Sequence, residues 1–371
     1  MAKFLLAGGG TAGHVNPLLA TAEELINRGH DVAVLGTAEG LESELVPLAG
    51  LPMHVVPRVP FPRRPSVAAL RFPFRLRAAV RAARRAIDAV GADAVIGFGG
   101  YVSTPAYLAA RRRGVPVIVH EGNAKPGLAN RLGARHAAAV AVTFKDTPLP
   151  GAIHTGLPLR YAITDLAARL SDPVAGPDIR RISRATWGWP DDAPTLLVTG
   201  GSTGAASLNA AVAEAVETLV GHGIHVLHIT GRGKSDGAER ARGNLPALMR
   251  DQYVVREYVH DMDAAFAAAD AVVCRAGAGM VCEVTALGIP AVYVPLPHGN
   301  GEQALNAREA VDAGAATVLD DADLTATSLE LRAEPLVLDR KVQEHARIAA
   351  AGVGIVDGAA RLATLAEGVV G

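Results

Sequence analysis

A glycine-rich turn near the start of the sequence carries the first pattern that could do chemistry. The segment LLAGGGTAGHVNP places Gly8, Gly10 and Gly13 between an apolar run and a helical pattern. In that position, G-x-G-x-x-G spacing puts backbone N–H groups and a helix dipole where a diphosphate could bind. His14 follows the last glycine, and its imidazole, with an unperturbed pKa near ~6.5, could exchange a proton with a ligand held there.

A nicotinamide dinucleotide is disfavoured as the ligand of this loop. Dinucleotide domains usually carry an acidic side chain at the end of the second strand, where it binds a ribose. Here the candidate strand Asp31–Leu35 is followed by Gly36 and Thr37, with Glu39 only beyond them. We therefore predict no cofactor, and a tight turn with glycines for close packing stays open as the structural alternative.

A second glycine loop lies in the other half of the chain. LLVTGGSTGAASLNAAVAEAV, from Leu196, repeats the strand, turn and helix of LLAGGGTAGHVNPLLATAEEL, from Leu5. It lacks the lysine of a Walker motif, which disfavours ATP hydrolysis, but its backbone donors and the Ser202 hydroxyl could hold a diphosphate. The repeat predicts two Rossmann-like domains.

A third candidate turn contains an acidic side chain. CRAGAGMVCEVTALGIP, from Cys274, places Glu283 inside the helix that follows a run of small residues. A carboxylate there could accept hydrogen bonds from both hydroxyls of a ribose, while the small residues let a phosphate or sugar approach the backbone. The alternative is an exposed glutamate that the helix dipole favours.

Short apolar runs alternate with longer helical stretches along the whole chain. This alternation predicts an α/β fold of doubly wound parallel sheets, with sites at the carboxyl ends of the strands. We expect domains over residues 1–160 and 161–349, a hinge near Gly156–Tyr161, and a helix over 350–371 that packs back on one domain. The predicted strands are Phe4–Ala7, Asp31–Leu35, Ala94–Gly97, Val115–Val119, Thr195–Thr199, His225–Thr230, Tyr253–Glu257, Ala271–Cys274 and Ala291–Val294.

Composition narrows the class of protein further. At 371 residues the chain is long for one core, and a net charge of -1 argues against a general nucleic-acid binder. Two cysteines, Cys274 and Cys282, fit neither a CxxC pair nor a disulfide framework, so we expect a reducing cytoplasm. No stretch approaches ~18 uninterrupted apolar residues, and no signal-peptide pattern is seen, which predicts a protein that is soluble or bound to a membrane surface.

One segment departs from this near-neutral balance. No acidic residue occurs between Glu44 and Asp88, whereas arginines alternate with aromatic and aliphatic residues. Such a basic and apolar segment suits the surface of an anionic membrane, and a solvated arginine-rich helix is the alternative. The segment contains Arg58, Arg63, Arg64, Arg71, Arg75, Arg77, Arg81, Arg84 and Arg85 with Phe61, Leu70, Phe72, Phe74 and Leu76; Arg71, Phe72, Phe74, Arg75 and Arg77 form the predicted membrane patch.

Seven collinear motifs together resemble the MurG family of glycosyltransferases. They are GGGTAGHVNP, GFGGYVSTPAYLAA, HEGNAKPGLAN, GLPLR, VTGGSTGAASLN, CRAGAGMVCEVTALGIP and VPLPHGNGEQALNA. They occur in the family's order and at comparable spacing, so the resemblance extends over nearly the whole chain. The resemblance implies the GT-B architecture, in which two Rossmann-like domains face each other across a cleft. It also implies inverting transfer of N-acetylglucosamine from UDP-N-acetylglucosamine to the 4-hydroxyl of the muramyl sugar of lipid I, at the cytoplasmic face of the membrane, in peptidoglycan synthesis.

The resemblance further implies roles for individual residues. His14 and Glu121 match the family's candidates for catalysis, and Glu283 matches the residue that binds the uridine ribose. The other implied substrate contacts are Thr11, Ala12 and Gly13 in the first loop, Ser202 at the UDP diphosphate, Val259 at uracil, Ala278, Gly279, Met280, Val281 and Cys282 along the diphosphate, Glu302, Gln303 and Asn306 at the sugar hydroxyls, and Asn123 and Arg160 as further donor contacts. The chain departs from the family pattern at Ala12, Gly122, Thr203, Met280 and Glu302.

Other functions and a metal site stay open as alternatives. A UDP-N-acetylglucosamine 2-epimerase would share the architecture, and a nucleotide-sugar sensor would keep the donor site without turnover. Asp261-Met262-Asp263 spells the D-x-D of metal-dependent glycosyltransferases. We expect no metal there and interpret Asp261 as the N-cap of the following helix.

Overall fold

A computed structural model of the protein describes residues 1–62, 67–201, 203–298 and 300–371. The chain forms two compact units, which we call unit 1 (Met1–Arg160 with Asp357–Gly371) and unit 2 (Tyr161–Val356). Unit 2 therefore extends to Val356, seven residues past the predicted end at residue 349. Each unit contains one parallel sheet between helices, as the α/β prediction requires.

Unit 1 is built on a seven-stranded sheet in the order β3-β2-β1-β4-β5-β6-β7. Its strands are β1 (Lys3–Ala7), β2 (Asp31–Gly36), β3 (Met53–Val55), β4 (Ala94–Gly97), β5 (Val117–Glu121), β6 (Ala139–Val142) and β7 (Ala152–His154). Its helices are α1 (Ala12–Asn27), α2 (Glu42–Leu48), α3 (Val67–Val90), α4 (Gly100–Arg113) and α5 (Leu128–Ala134), with α16 (Gly358–Val370) from the end of the chain.

Unit 2 repeats the order in a six-stranded sheet, β10-β9-β8-β11-β12-β13. Its strands are β8 (Thr195–Thr199), β9 (His225–Ile229), β10 (Tyr253–Arg256), β11 (Ala271–Cys274), β12 (Ala291–Tyr293) and β13 (Ala316–Val318). Its helices are α6 (Tyr161–Ser171), α7 (Ala175–Thr186), α8 (Ala206–Gly221), α9 (Asp236–Asn244), α10 (Met262–Ala268), α11 (Ala278–Ala286), α12 (Glu302–Asn306), α13 (Arg308–Asp312), α14 (Ala326–Leu338) and α15 (Arg340–Val353), with a 3-10 helix over Ala247–Gln252.

The strand order creates a topological switch point in each sheet. It lies between β1 and β4 in unit 1 and between β8 and β11 in unit 2, because the chain runs outward from the centre in both directions. Crevices at such points, outside the carboxyl ends of the strands, are where open α/β sheets bind ligands. Each of the three glycine turns found in the sequence leaves one of these central strands.

All nine predicted strands are present, with one notable shift at a boundary. The strand predicted over Val115–Val119 begins at Val117, because the Val115 N–H closes the last turn of α4 on Ala110 O and Pro116 has no N–H to donate. The strands β3, β6, β7 and β13 were not predicted. Each has only three or four residues, and β3, β7 and β13 lie at sheet edges, where a long apolar run is not required.

The end of the chain contains one stretch that passes a composition test for a membrane span. By length and composition, Arg340–Val370 is apolar enough to cross a membrane. The structure divides this stretch into α15 and α16, of 14 and 13 residues. Each is about 20 Å long, short of the roughly 30 Å hydrocarbon core. Leu362, Ala363 and Ala366 of α16 are instead fully buried in the core of unit 1.

Candidate active site

The first glycine loop joins β1 to α1 at the switch point of unit 1. Thr11 is the N-cap residue of α1, with an extended backbone and no side-chain cap, and Ala12 and Gly13 open the helix. All three residues are exposed. The first N–H groups of a helix have no intrahelical partner, so this helix end presents free donors and a positive dipole to a ligand. Gly10 reaches the turn with φ +90, which only glycine adopts readily.

His14 lies in the first turn of α1, where its hydrogen bonds fix the tautomer. Nδ1 lies 3.2 Å from the Gly9 carbonyl oxygen and 3.2 Å from Thr11 Oγ1. A carbonyl only accepts, so Nδ1 carries the proton and Nε2 carries the lone pair. Among the described residues Nε2 has no hydrogen-bond partner. Burial lowers the pKa of His14 below its ordinary value, and the nearby carboxylates of Glu121 and Glu42 offset only part of this effect.

A second pair of glycines, after β4, packs against the His14 ring. Gly99 and Gly100 have φ +101 and +78. A Cβ on Gly99 would lie 3.0 Å from His14 Nε2, and one on Gly100 would lie 2.5 Å from the Gly9 carbonyl oxygen. The Gly99 N–H donates to Ser103 Oγ, which in turn donates to the Ala7 carbonyl at the end of β1. Hydrogen bonds thus connect the loop after β4 to the end of β1, and the His14 imidazole packs between the loops that follow these two strands.

Glu121, the other candidate for catalysis, is the last residue of β5 and is buried. Its Oε1 accepts the Asn123 N–H at 2.9 Å, and its Oε2 accepts the Gly127 N–H at 2.9 Å and Asn130 Nδ2 at 3.0 Å. Three donors therefore already engage this carboxylate, and two of them come from the loop that carries Asn123. Asn130 was missed by the sequence analysis; its amide also accepts from the buried Tyr107 hydroxyl at 2.7 Å.

In unit 2, the glycine loop after β8 forms a tight turn against the loop after β9. Gly201 and Gly204 have φ +81 and +66, and a Cβ on Gly204 would lie only 2.0 Å from the Thr230 carbonyl oxygen. Ser202, predicted to contact the diphosphate, lies outside the described residues. Lys234, which the sequence analysis did not single out, donates from Nζ to the Thr203 carbonyl at 2.6 Å and places a cation on this loop.

A buried polar network supports this loop from below. Asn209 of α8 donates from Nδ2 to the Thr230 carbonyl at 2.9 Å, and its Oδ1 lies 3.1 Å from His228 Nε2. His228 Nε2 is therefore the protonated nitrogen, and Nδ1 accepts from the Tyr253 hydroxyl at 2.7 Å. Burial lowers the pKa of His228 to about 4, so the network requires a neutral imidazole.

The His228 network predicts a specific loss of stability in acid. Between about pH 6.5 and pH 4 the unfolded chain binds a proton at this histidine that the folded chain does not bind. The free energy of unfolding therefore decreases by roughly 1.4 kcal/mol for each unit by which the pH is lowered across that window. His228→Gln, which cannot titrate, should lose about 2–3 kcal/mol less stability than the wild type between pH 7 and pH 4.5 in urea titrations. His136→Gln, at an exposed position, is the control; equal losses in all three proteins would contradict the assignment.

The predicted donor contacts of unit 2 lie at one edge of its sheet. Glu283 is the sixth residue of α11, which follows β11 and opens with the predicted diphosphate contacts Ala278–Cys282. Val259 follows β10, and the sugar-contact candidates Glu302, Gln303 and Asn306 lie in α12, after β12. Since all these strands are parallel, their carboxyl ends meet at the same edge. The sheet thus collects residues that are 47 positions apart in the sequence.

Side chains of α12 hold the loops around that edge. Gln303 Oε1 accepts the Leu296 N–H at 2.9 Å, and Asn306 Nδ2 donates to the Ala276 carbonyl at 3.2 Å. Glu302 Oε2 is shielded from solvent and has no hydrogen-bond partner among the described residues. A shielded carboxylate oxygen of this kind requires a donor, which a ligand hydroxyl or a water would supply.

An ion pair that was not predicted from the sequence connects the loops at this edge of the unit 2 sheet. Arg275 Nη1 donates to the carbonyls of Val294 and Pro295 at 3.1 Å each and to Asp321 Oδ1 at 2.5 Å. Its Nη2 donates to Ser207 Oγ at 2.9 Å. Burial raises the pKa of Asp321, but hydrogen bonds from Ser207 and Arg275 outweigh burial and lower it overall. The loops after β11, β12 and β13 are thereby joined to the start of α8.

The predicted membrane patch lies on the exposed face of α3. Phe74 and Leu70 are each 76% exposed, and the ring of Phe72 contacts that of Phe61 at 5.0 Å. Arg71, Arg75 and Arg77 are exposed on the same helix, while Arg63 and Arg64 lie outside the described residues. A cavity of about 490 Å³ adjoins α3 beside β3 and is lined in part by Arg58, Arg81 and Arg85.

The D-x-D segment caps a helix, as the sequence analysis predicted. Asp261 is the N-cap residue of α10, and its Oδ1 accepts the Ala264 N–H at 3.1 Å. Within the described ranges, no group of three or more His, Cys, Asp or Glu side chains is arranged to hold a metal ion.

Two Rossmann-like units, each with a glycine loop at its switch point, form the fold of the GT-B glycosyltransferases, and the family matches supply the enzyme class. Residues 4–142 match the glycosyltransferase family 28 N-terminal domain, and residues 195–362 match the family 28 C-terminal domain. The chain belongs to glycosyltransferase family 28, which confirms the predicted family, fold and enzyme class.

Individual relatives agree with this assignment. The chain is 51% identical to the UDP-N-acetylglucosamine--N-acetylmuramyl-(pentapeptide) pyrophosphoryl-undecaprenol N-acetylglucosamine transferase of Nocardioides sp. (strain JS614), over 94% of this chain and 92% of the relative. Crystalline MurG of Acinetobacter baumannii is 28% identical with a TM-score of 0.78, covering 99% of this chain and 100% of that chain. A putative UDP-N-acetylglucosamine 2-epimerase of Listeria monocytogenes shares only the fold, at 16% identity and a TM-score of 0.69, over 99% and 96% of the two chains.

Proposed function

We propose that this enzyme transfers N-acetylglucosamine from UDP-N-acetylglucosamine to the 4-hydroxyl of the muramyl sugar of lipid I and so forms lipid II. The names of relatives near 50% identity support this donor and this acceptor. The structural observation that carries the proposal is the neutral imidazole of His14, whose unprotonated Nε2 lies beside an uncapped helix N-terminus.

We assign the base to His14 and a positioning role to Glu121. As the acceptor hydroxyl attacks the anomeric carbon and the bond to the diphosphate breaks, Nε2 takes the hydroxyl proton, and Nδ1–H continues to donate to Gly9. Attack opposite the leaving group converts the α-linked donor into a β-linked product. Protonating Glu121 would instead weaken the three hydrogen bonds that it accepts, which shape the loop bearing Asn123.

The leaving UDP is stabilised by backbone donors and the helix dipole of α11, in the manner of an oxyanion hole. Ser202 adds a hydroxyl to the diphosphate, Glu283 accepts the ribose hydroxyls, and Val259 offers backbone groups to uracil. The N-acetylglucosamine hydroxyls donate to Glu302, whose shielded Oε2 is otherwise unpaired among the described residues, and contact Gln303. The remaining donor contacts are Ala278, Gly279, Met280, Val281, Cys282, Asn306, Asn123 and Arg160; Thr11, Ala12 and Gly13 face the acceptor diphosphate.

The acceptor is a membrane lipid, and we propose that the enzyme binds peripherally at the cytoplasmic face through α3. Exposed aromatic and aliphatic side chains can enter the headgroup region while the arginines pair with anionic lipids. Exposure of Phe74 and Leu70, beside Arg71, Arg75 and Arg77, supports this surface as the docking site.

Reversing three charges on the patch tests this docking. In sedimentation with phosphatidylglycerol vesicles, the triple substitution Arg71→Glu, Arg75→Glu and Arg77→Glu should weaken binding about tenfold or more. The reason is that each basic group near an anionic surface contributes about 1 kcal/mol. Turnover of a short-chain, water-soluble acceptor should not change.

The matched control carries the same change in charge on exposed residues of unit 2. It combines Arg240→Glu, Arg332→Glu and Arg340→Glu. We expect it to bind vesicles like the wild type. Equal losses in both triple variants would show that net charge, and not the α3 patch, governs binding.

Two rival functions give different products from the same donor. An epimerase would release UDP and a free sugar without any acceptor, and a sensor would bind the donor without turnover. The test is incubation with labelled UDP-N-acetylglucosamine, with and without a lipid I analogue. We expect UDP release to depend on the acceptor; release without acceptor, or none with it, would contradict the proposal.

A further inference from the structure

A carboxylate that this mechanism does not use is buried beneath the first glycine loop. Glu42, the first residue of α2, is fully buried, which is rare for a glutamate. Its Oε2 accepts the Gly10 N–H at 2.8 Å. Its Oε1 accepts the Thr37 N–H at 3.0 Å and the Thr37 hydroxyl at 2.6 Å. The side chain therefore links the end of β2 to the loop that carries His14.

Three glycines pack against the Glu42 side chain, which leaves no room for a larger residue at any of their three positions. A Cβ would lie 2.3 Å from Glu42 Oε1 if placed on Gly9, 2.0 Å from Oε2 on Gly40, and 2.8 Å from Cγ on Gly36. None of the three has a positive φ, so their backbone conformation does not require glycine. They are explained by the space that the carboxylate occupies.

The hydrogen bonds place Glu42 and His14 on opposite sides of one peptide group. The Gly10 N–H, which donates to Glu42, and the Gly9 C=O, which accepts from His14 Nδ1, belong to the same Gly9–Gly10 peptide. Hydrogen bonds in series polarise one another, so a charged acceptor on the N–H side makes the carbonyl a better acceptor for His14. This repeats, through a peptide, the way a carboxylate orients a catalytic histidine.

We infer that Glu42 is a positioning residue that acts through the Gly9–Gly10 peptide to fix the Nδ1–H tautomer of His14 and to stabilise its protonated form. The inference rests on the proposed role of His14 as the base. It does not require Glu42 to touch a substrate.

The charges around His14 are consistent with this arrangement. Two carboxylates act electrostatically on the imidazole, Glu121 from the end of β5 and Glu42 from α2, and Gly99 and Gly100 of the loop after β4 pack against the ring. Burial raises the pKa of Glu42, but hydrogen bonds from Thr37 and Gly10 outweigh burial and keep the carboxyl ionised. Both carboxylates therefore raise the pKa of His14 against the effect of its own burial.

The test follows His14 itself by ¹⁵N NMR of the whole enzyme, with turnover as a second readout. In Glu42→Gln we expect the pKa of His14 to fall and the Nδ1–H tautomer to lose population. The acid limb of the kcat profile should move to lower pH, because a negative charge that favoured the imidazolium is gone. We also expect kcat at the plateau to fall about 10- to 100-fold, while UDP affinity stays within about twofold.

Glu44→Gln, at an exposed position of the same helix, provides the matched control. It removes one negative charge from α2 but leaves Glu42 and its hydrogen bonds to Gly10 and Thr37 unchanged, so the titration of His14 should stay at its wild-type position. A Glu42→Gln enzyme with the wild-type titration and tautomer of His14 would overturn the inference. If Glu42→Gln does not fold, the wild-type tautomer decides, since an Nε2–H imidazole would also overturn it.

This readout separates the inference from the proposed function. If His14→Ala retained turnover, the function of His14 as the base would fail, whereas the NMR titration would still report whether Glu42 controls the imidazole. A shifted titration without a change in kcat would likewise retain the physical link and remove its catalytic meaning.

Discussion

Replacing His14 with alanine is expected to lower kcat by roughly 10²–10⁴-fold, the usual contribution of general acid–base catalysis. The variant loses Nε2, the unprotonated nitrogen at the entrance of α1. UDP-N-acetylglucosamine affinity should stay within about twofold of the wild type, because His14 is not among the proposed donor contacts, most of which lie in unit 2. Steady-state transfer measures kcat, and calorimetry without acceptor measures the affinity for UDP-N-acetylglucosamine.

His136→Ala, at an exposed position of the same unit, is the matched control and should keep wild-type turnover. The pH profile adds a second check. Burial lowers the pKa of His14, so wild-type activity should stay on its plateau below pH 6.5 and fall only as the imidazole becomes protonated. A His14→Ala enzyme within a few-fold of the wild type would remove His14 from this role.

Replacing Glu283 with glutamine is expected to raise KM for UDP-N-acetylglucosamine roughly 10- to 150-fold. Hydrogen bonds to a charged group contribute about 1.5–3 kcal/mol, and the amide offers one acceptor in place of the carboxylate's two. The acid limb of the pH profile should not move, because Glu283 takes no part in proton transfer.

Glu239→Gln, on the exposed side of α9, is the control for a lost negative charge in unit 2 and should leave KM unchanged. Equal KM values for wild type and Glu283→Gln would place the ribose elsewhere. A loss confined to kcat would indicate that Glu283 acts on the transition state instead of on donor binding.

The sequence predicted the parts of the fold that depend on local pattern. Central strands such as β1 and β8 are buried on both faces and appear as continuous apolar runs. The edge strands β3 and β13 have three residues each, too few for such a run. His14 could be proposed from sequence because it directly follows the glycine turn, and its role remains a prediction.

Residues whose role depends on distant partners were not predicted. Glu42 stands 32 positions from the glycine whose N–H it accepts, and in sequence it resembles an ordinary acid at the start of a helix. Arg275 and Asp321 are 46 positions apart and meet only because β11 and β13 belong to one sheet. Of the three glycines around Glu42, only Gly9 lies within the first glycine loop, and no local pattern connects Gly36 and Gly40 with it.

The most direct test of the proposed reaction is to isolate the product formed from UDP-N-acetyl[¹⁴C]glucosamine and a short-chain lipid I analogue and to determine its linkage by NMR. We predict label in a lipid-linked disaccharide with a β-1,4 bond, formed in equal amount to the UDP released. An α linkage, label in a free sugar, or no transfer from bound donor would contradict an inverting transferase that acts on lipid I.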